Sequence, residues 1–311
     1  MVEDRLNMIT ESINENSIDI DKISIEGALH LMNEEDKKVA FAVEKALPQI
    51  AKAIELTVSA INRGGRLIYI GSGTSGRLGV LDASECPPTF NTDPEMVKGI
   101  IAGGDTALRK ALEGVEDNEE EAVSYLKQER LSNSDVLIGI SASGSTPYVL
   151  GALKYGRIIG ASTVGIACNP ESPMADLSDV MIEVIVGPEI ISGSTRLKAG
   201  TAQKMVLNMI STITMVQLGK TYKNLMVDLQ ASNVKLRNRA LSILKKVTSV
   251  KDEGEALRLL EDTGWSVKEA IVMEKTKLPA KKAKQYLKNS EGRVSKAIEM
   301  AENQISSGGV V

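Results

Sequence analysis

The chain has few of the residues on which many common functions depend. Among its 311 residues there are one histidine, two cysteines and one tryptophan, and aromatic residues make up 3%. Without a second histidine or a cysteine cluster there is no zinc ligand set, and the single histidine, His30, lies in an amphipathic segment where a structural role is favoured over a Ser-His-Asp set, so the sequence predicts no metal and no cofactor. Two cysteines cannot form a disulfide framework, which favours a reduced, cytoplasmic setting. The scarcity of aromatic residues argues against a surface on which nucleic-acid bases stack.

Neither a strong net charge nor a long apolar run is present. The chain has 37 Lys plus Arg and 41 Asp plus Glu, a net charge of −4, which argues against nucleic acid or an anionic membrane as its main partner. No apolar run approaches the roughly 18 residues of a bilayer span, and the polar amino terminus is not typical of a secretory signal. We therefore expect a soluble cytoplasmic protein.

Short apolar segments alternate with helical patterns in the middle of the chain. The predicted strands are Arg66–Ile70, Val97–Ala102, Asp135–Ser141, Ser162–Cys168 and Asp179–Val186. Buried strands between helices predict an α/β fold with a doubly wound, five-stranded parallel sheet. The predicted helices outside this region are Asp36–Ile61, with a kink or break near Pro48, then Thr195–Leu218 and Asn233–Lys246.

The C-terminal part of the chain contains a weak internal repeat. Leu259–Ile271 and Tyr286–Ile298 share Leu, Val, Ala and Ile at positions 27 residues apart. Two helix-turn-helix units are therefore predicted, with Trp265 as an anchor of their core. A charged junction near residues 249–254 precedes them, so we place the domain boundary between residues 250 and 251. This gives a domain of residues 1–250 and a small all-α domain of residues 251–311.

A glycine-rich turn follows the first predicted strand. Residues 71–76, GSGTSG, form what we call the glycine loop. The first N–H groups of a following helix lack intrahelical partners, and with Ser72, Gly73, Thr74 and Ser75 they can hold an anion. The loop has neither the lysine of a nucleotide P-loop nor the GxGxxG spacing of a dinucleotide site. Many such turns only cap a helix, so both interpretations stay open.

A second turn is the stronger candidate for a phosphate site. Residues 141–146, SASGST, form what we call the serine loop, which follows a predicted strand and precedes Pro147. Proline suits the first position of a helix, where its missing N–H is not needed. The site would consist of Ser141, Ser143, Gly144, Ser145 and Thr146. No Lys or Arg lies in the loop, so neutral donors and the helix dipole would hold the anion. An ordinary serine-rich turn is the alternative.

The segment DASECPPTF, residues 82–90, continues from the glycine loop. Together they resemble the signature of the N-acetylmuramic acid 6-phosphate etherase family, a member of the sugar isomerase (SIS) fold group. The resemblance extends to an early segment that ends at Asn33–Asp36, the serine loop, SGSTRLKAGTAQK at residues 192–204 and the helical tail. It covers nearly the whole chain.

This resemblance implies the fold, the reaction and several site residues. The expected reaction cleaves the D-lactyl ether of N-acetylmuramic acid 6-phosphate to N-acetylglucosamine 6-phosphate and D-lactate, in the recycling of cell-wall amino sugars. The family's two acid/base glutamates fall here on Glu85 and Glu116. The resemblance also implies an SIS-type sheet, a C-terminal bundle similar to a ubiquitin-associated domain, and a homodimer. Ser194 and Lys198 are further candidate substrate contacts, although a plain helix cap explains their segment equally well.

Elimination explains why this reaction needs carboxylates. Opening the sugar ring exposes a C1 aldehyde that acidifies the C2 hydrogen. A base removes that proton, lactate leaves from C3, and water adds to the unsaturated aldehyde. Positioned acid/base groups contribute typically ~10² to 10⁴ in rate. A non-catalytic sugar-phosphate sensor and an aldose-ketose isomerase on the same fold are the alternatives, and DASECPPTF argues against the isomerase.

The position of Glu85 raises a geometric question. If a helix starts near Gly76, a rise of 1.5 Å per residue places Glu85 roughly 13 Å from the glycine loop, farther than a sugar phosphate reaches. We therefore expect Glu85 to serve a substrate whose phosphate lies on the serine loop, or a substrate bound to the neighbouring subunit. Pro87 and Pro88 are expected to end the helix just after it.

Overall fold

A five-stranded parallel sheet forms the centre of the fold. The computed structural model describes residues 8–229, 231 and 233–306. In this part of the chain the sheet consists of β1 (Leu67–Gly71), β2 (Val97–Ile101), β3 (Val136–Ile140), β4 (Ser162–Ala167) and β5 (Val180–Glu183). The strands pair in the order β2-β1-β3-β4-β5, all parallel. Each strand overlaps its predicted segment, and the doubly wound α/β fold is confirmed.

Helices precede, connect and follow the strands. The helices within the described residues are α1 (Ile25–Asn62), α2 (Gly73–Phe90), α3 (Gly104–Arg109), α4 (Glu119–Gln128), α5 (Pro147–Ile159), α6 (Lys198–Gln217), α7 (Val234–Val247), α8 (Glu253–Asp262), α9 (Val267–Thr276), α10 (Ala280–Asn289) and α11 (Val294–Ser306). A two-stranded antiparallel pair, β6 (Thr221–Tyr222) and β7 (Leu225–Met226), lies between α6 and α7. None of the helices in the described ranges combines the length and apolarity that a membrane crossing requires.

The strand order places two loops side by side. Strands β1 and β3 are buried at every position, as expected for central strands covered by helices on both faces. In their register Gly71 lies opposite Ile140 at the carboxyl ends. The chain leaves β1 toward β2 and leaves β3 toward β4, so the order reverses between them. Ligands of doubly wound sheets bind at such a point, and here it lies between the glycine loop and the serine loop.

Two helices differ from their predictions. Helix α1 runs as one element through Pro48 and begins at Ile25, where the Ser24 hydroxyl accepts from the Gly27 N–H. The prediction that Pro87 ends the second helix is wrong, because α2 continues to Phe90. The missing proline N–H groups affect only the last turn, which closes through a 2.9 Å bond from the Asn91 N–H to the Pro87 carbonyl.

The chain divides into two compact units. Among the described residues, the first contains those from 8 to 85 and Asp93–Thr212, and the second contains Cys86–Thr92 and those from 213 to 306. In the second unit, residues of α7 share one apolar core with residues of the four helices that follow it. The predicted boundary at residues 250 and 251 falls between α7 and α8. A separate domain from residue 251 onward stays a prediction.

The C-terminal repeat is visible in individual hydrogen bonds. In the turn between α8 and α9, the Thr263 hydroxyl bonds the carbonyls three residues before and three residues after it, both at 3.2 Å. Ser290, 27 residues later, makes the same two bonds at 3.1 and 3.0 Å. Positive φ angles follow both, at Gly264–Trp265 and at Glu291–Gly292. The predicted helix-turn-helix repeat is confirmed, and Trp265 packs against the core of this unit. The likeness to a ubiquitin-associated domain stays a prediction.

Candidate active site

The serine loop brings its predicted hydroxyl groups together. The Ser141 Oγ lies 2.7 Å from the Thr146 Oγ1 and 3.2 Å from the Ser143 Oγ, and the Ser145 hydroxyl donates to the Ser143 Oγ at 3.2 Å. The backbone N–H groups of Gly144 and Ser145 donate to the hydroxyls of Ser141 and Ser143 at 3.0 and 3.2 Å. Backbone N–H groups and hydroxyls thus converge in one concave turn, which is the kind of structure that binds anions.

Position 144 has two constraints, and glycine is the amino acid that satisfies both. Its φ is +71°, a left-handed conformation that side chains with a Cβ rarely adopt. A Cβ at this position would lie 2.4 Å from the hydroxyl of Ser172. The Ser172 side chain is buried and packs directly against the loop. Glycine at residue 144 therefore lets the serine loop lie close to the segment that follows β4.

The amino terminus of α5 supports the same site. Pro147 occupies the first helical turn, as predicted, and the residue before it, Thr146, makes no side-chain capping bond to the helix. The Thr146 hydroxyl is instead close to Ser141. The positive end of the helix dipole therefore faces the serine loop without a side-chain cap. An anion at this position gains from the dipole of the 13-residue helix.

The helix that begins in the glycine loop starts earlier than predicted. Helix α2 starts at Gly73, and the Gly76 N–H bonds the Ser72 carbonyl at 3.0 Å. Among the predicted contacts, Ser72 and Thr74 are half-buried and Gly73 is exposed. Ser75 differs, because its buried hydroxyl donates to the Gln203 side chain of α6 at 2.9 Å. Ser72, Gly73 and Thr74 thus remain accessible at the sheet edge, while Ser75 joins two helices.

Lys198 lies inside the protein. Its side chain is 2% exposed, and its ammonium group bonds the Glu35 carboxylate at 2.7 Å. Glu35 also accepts from Lys38 at 2.6 Å and from Asn16 at 3.0 Å. Burial by itself raises the pKa of Glu35, but these hydrogen bonds outweigh it and hold the pKa at about 2. The charge of Lys198 is therefore neutralised within the chain, and this geometry does not support it as a substrate contact.

The amino terminus of α6 is capped by a carboxylate of the protein itself. The prediction placed the helix start at Thr195, but α6 begins at Lys198. The N–H groups of Lys198 and Ala199 donate to the two carboxylate oxygens of Glu189, both at 2.9 Å. Glu189 is fully buried, and this burial raises its pKa against the effect of those bonds. The Glu189 carboxylate thus occupies the position at the amino terminus of α6 where an anionic ligand would bind. Ser194 lies half-buried in the turn before it, and its contact with substrate stays a prediction.

We expect replacement of Glu35 by glutamine to destabilise the protein by about 3 to 5 kcal/mol, because the ammonium of Lys198 would stay buried without its direct ion-pair partner. The pKa of Glu35 in the folded protein, about 2, lies below its ordinary value of 4.5. The ion pair therefore stabilises the fold fully above pH 4.5 and loses that contribution as the pH falls toward 2. Urea unfolding at pH 7 and pH 3 measures both effects. Glu34→Gln is the control, since Glu34 is exposed and pairs with Lys37 on the surface; equal losses in both variants would contradict the prediction.

Glu116 lies at the same edge of the sheet as the serine loop. It belongs to a short 3₁₀ turn, Val115–Asp117, that contacts α5. A Cβ at Gly103, just after β2, would lie 3.4 Å from the Val115 side chain, which places this turn at the carboxyl ends of the strands. Glu116 is half-buried. A half-buried carboxylate and the serine loop of one chain thus share one edge of the sheet.

Glu85 lies far from both loops of its own chain. It is exposed on α2, twelve residues after Gly73, which corresponds to about 18 Å along the helix. Helix α2 connects two parallel strands, so it runs back from their carboxyl ends toward the opposite edge of the sheet. The serine loop starts beside the glycine loop, because Gly71 and Ile140 are partners. The expectation that Glu85 serves a substrate on the serine loop of the same chain is therefore incompatible with this geometry. The alternative, a substrate bound to the neighbouring subunit, stays a prediction.

Comparison with known proteins assigns the chain to a family. A model of the SIS domain matches residues 116–213, and a model of the N-terminal SIS domain of glucokinase regulatory protein matches residues 49–157. The N-acetylmuramic acid 6-phosphate etherase of Clostridium beijerinckii is 54% identical over 96% of this chain and 98% of its own. That of Caldanaerobacter subterraneus is 53% identical over 94% and 95%. This chain belongs to the N-acetylmuramic acid 6-phosphate etherase family. A solved phosphoheptose isomerase from Francisella tularensis covers 63% of this chain and 100% of its own, with 16% identity and a TM-score of 0.48.

The etherase signature contains a structural carboxylate that sequence reasoning missed. Asp82 is buried on α2 and accepts hydrogen bonds from Tyr69 at 3.0 Å, from Asn208 at 2.7 Å and from Ser211 at 3.0 Å. Burial raises the pKa of Asp82, and these three bonds oppose that shift. The carboxylate thus joins α2 to β1 and α6. Its neighbours on the helix, Ala83 and Cys86, which are also buried, were the available signal of burial.

Proposed function

We propose that this chain cleaves the D-lactyl ether of N-acetylmuramic acid 6-phosphate, giving N-acetylglucosamine 6-phosphate and D-lactate in the recycling of cell-wall amino sugars. The observation that carries the proposal is the 54% identity, along nearly the whole length, with a relative named for this activity. The hydroxyl-lined serine loop supports it, because it suits the phosphate of such a substrate. We further propose that the protein acts in the cytoplasm as a homodimer.

In this proposal the phosphate binds to the serine loop. Ser141, Ser143, Ser145 and Thr146 supply hydroxyls, Gly144 supplies backbone, and the dipole of α5 attracts the dianion. The sugar extends toward Ser72, Gly73 and Thr74, because their loop follows the neighbouring strand, about 5 Å away. The arrangement fixes the phosphorylated end of the sugar and leaves C2 and C3 toward the edge where Glu116 lies.

The reaction proceeds by elimination followed by addition of water. Ring opening forms the C1 aldehyde, which makes the C2 hydrogen acidic. A carboxylate removes this proton, the C3–oxygen bond breaks, and the lactate oxygen takes a proton as it leaves. Water then adds to C3 and a proton returns to C2, so the enzyme ends in its initial state. We assign the two carboxyl groups to Glu116 of the chain that holds the phosphate and Glu85 of the neighbouring subunit.

Incubation with N-acetylmuramic acid 6-phosphate in deuterated, ¹⁸O-labelled water tests the proposal. We expect release of lactate, with deuterium at C2 and ¹⁸O at C3 of the sugar product, because both atoms come from solvent. Mass spectrometry and NMR locate the labels. Release of lactate without label at C2 would contradict elimination. Conversion of a 2-hydroxyaldose phosphate, such as glucose 6-phosphate, to its ketose, with no lactate released from N-acetylmuramic acid 6-phosphate, would indicate an isomerase. Binding without any conversion would indicate a sensor.

A further inference from the structure

The outer side of the serine loop is held by one segment, residues 168–174. The carbonyls of residues 142–144 all point to this segment and accept hydrogen bonds from it. The Cys168 N–H donates to the first carbonyl at 2.9 Å, and the Met174 N–H donates to the third at 3.3 Å. The side-chain amide of Asn169 donates to the first at 3.1 Å and to the second at 3.5 Å. Three consecutive carbonyls are therefore fixed on the side away from the hydroxyls.

Fixing these carbonyls also fixes the donors on the other side. In a trans peptide the C=O and the next N–H point in opposite directions. Bonds to the carbonyls of residues 142–144 thus direct the N–H groups of residues 143–145 into the loop. Two of these N–H groups, those of Gly144 and Ser145, do bond hydroxyls on the inner side. Successive N–H groups that point into one concave turn form a site for an anion.

Asn169 is held firmly enough to orient the loop. Its side chain is 3% exposed. Besides its bonds to the loop, its amide nitrogen donates to the Thr10 hydroxyl at 2.9 Å, and its oxygen accepts from the Thr10 N–H at 3.3 Å. Thr10 is fully buried in the 3₁₀ turn Ile9–Glu11. The Asn169 amide is therefore fixed between the serine loop and Thr10, which precedes Asn169 by 159 residues in the sequence.

We propose that Asn169 is a positioning residue for phosphate recognition. Through the carbonyls of residues 142 and 143 it keeps the N–H groups of residues 143 and 144 directed at the bound phosphate. The inference rests on the proposed function, since it takes the 6-phosphate as the ligand of the serine loop. Asn169 does not touch the sugar carbons, so its loss affects binding of the phosphate more than the chemical step.

Kinetics of Asn169→Asp and Asn169→Ala test this role. Both variants lose the amide donors, so we expect KM for N-acetylmuramic acid 6-phosphate to rise about ten-fold, the effect of one or two lost hydrogen bonds, with kcat changed less than about three-fold. The inhibition constant of inorganic phosphate rises in parallel. The aspartate variant shows the larger effect, because its negative charge repels the dianion. A KM within two-fold of wild type in both variants would overturn the inference.

Asn14→Asp is a matched control. Asn14 is also buried, and its side-chain amide donates to the Pro188 carbonyl at 3.2 Å, in a segment outside the serine loop. We expect this variant to keep the wild-type KM and the wild-type inhibition constant for phosphate, even where its melting temperature falls. A rise in KM equal to that of Asn169→Asp would show that any buried amide near the N-terminal segment has the same effect, which would overturn the specific role.

A further variant and a binding measurement keep the test decisive. Thr10→Val removes only the hydroxyl to which the Asn169 amide donates and leaves both the bond from the N–H of residue 10 and the bonds to the loop, so we expect KM to increase about two- to five-fold. This variant replaces the Asn169 variants if they do not fold. Titration with inorganic phosphate by ³¹P NMR requires no turnover. If the wild type binds phosphate but releases no lactate, the proposed function fails and the titration still decides the role of Asn169. If the wild type is active and its variants bind phosphate equally well, only the inference fails.

Discussion

A mixture of the Glu85→Gln and Glu116→Gln variants is expected to recover about a quarter of the wild-type turnover, because the proposed homodimer would have two-fold symmetry. Each variant alone is expected to lose about 10² to 10⁴ in kcat while it still binds substrate, because glutamine keeps the size of the side chain but cannot transfer a proton. Recovery on mixing is a direct measure of whether one site takes carboxylates from two subunits.

The expected fraction follows from the geometry of α2. Glu85 lies about 18 Å along the helix from the sheet edge where we propose that substrate binds, whereas Glu116 lies at that edge. In a mixed dimer, one site therefore combines the unchanged Glu116 of one subunit with the unchanged Glu85 of the other. The second site has neither carboxylate. After random exchange half of the dimers are mixed, and half of their sites are active.

The controls separate subunit exchange from chemistry. A mixture of Glu85→Gln with Glu85→Ala contains no intact site and is expected to stay inactive. Native mass spectrometry of differently tagged subunits measures the fraction of mixed dimers. Mixed dimers that form in the expected proportion but show no turnover would refute a site shared between subunits and remove Glu85 from the reaction of the neighbouring chain.

Gly144→Ala is expected to raise KM on the order of 100-fold, because a left-handed alanine costs about 1 to 2 kcal/mol and the added Cβ clashes with its surroundings. That Cβ would lie 2.4 Å from the Ser172 hydroxyl, and the φ of residue 144 is +71°. The serine loop has to move away from residues 168–174 to relieve the contact, which changes the direction of its N–H groups. Steady-state kinetics and titration with inorganic phosphate measure this loss.

Gly64→Ala is the matched control for this effect. Gly64 also has a positive φ, +84°, but nothing lies within 4 Å of an added Cβ. We expect it to lose about 1 kcal/mol of stability and to keep the wild-type KM. Adding Ser172→Gly to Gly144→Ala removes the closest contact and is expected to restore part of the affinity. A wild-type KM in Gly144→Ala would mean that the serine loop does not bind the phosphate.

Local patterns predicted the sheet and the composition of the serine loop. Runs such as Val136–Ile140 are apolar because helices cover both faces of a central strand, and that information lies within the run itself. The hydroxyls of Ser141 and Thr146 lie within six residues of each other, so a single turn brings them together. For the same reason the repeat in the tail was readable, since its helices are neighbours in sequence.

Contacts between residues that are distant in the sequence could not be predicted from local patterns. Lys198 was expected at the substrate, but its partner Glu35 lies 163 residues away, and no local pattern predicts that pairing. Asn169 belongs to no recognisable motif, and its importance appears only when the serine loop and the N-terminal segment are folded around it. The proposed meeting of Glu85 and Glu116 in one site depends on the direction of α2 and on a second subunit. Neither can be predicted from the spacing of residues in the sequence.

The two repeated helical hairpins in the C-terminal part of the chain also affect the order in which the chain folds. Helices α8 and α9, like α10 and α11, are joined by turns of a few residues, whereas β1 meets β2 only after the 18-residue helix α2. The entropy lost on closing a loop grows with its length, and chains with short-range contacts reach their native state sooner. The hairpins are therefore expected to form within microseconds to milliseconds, as for other helical bundles.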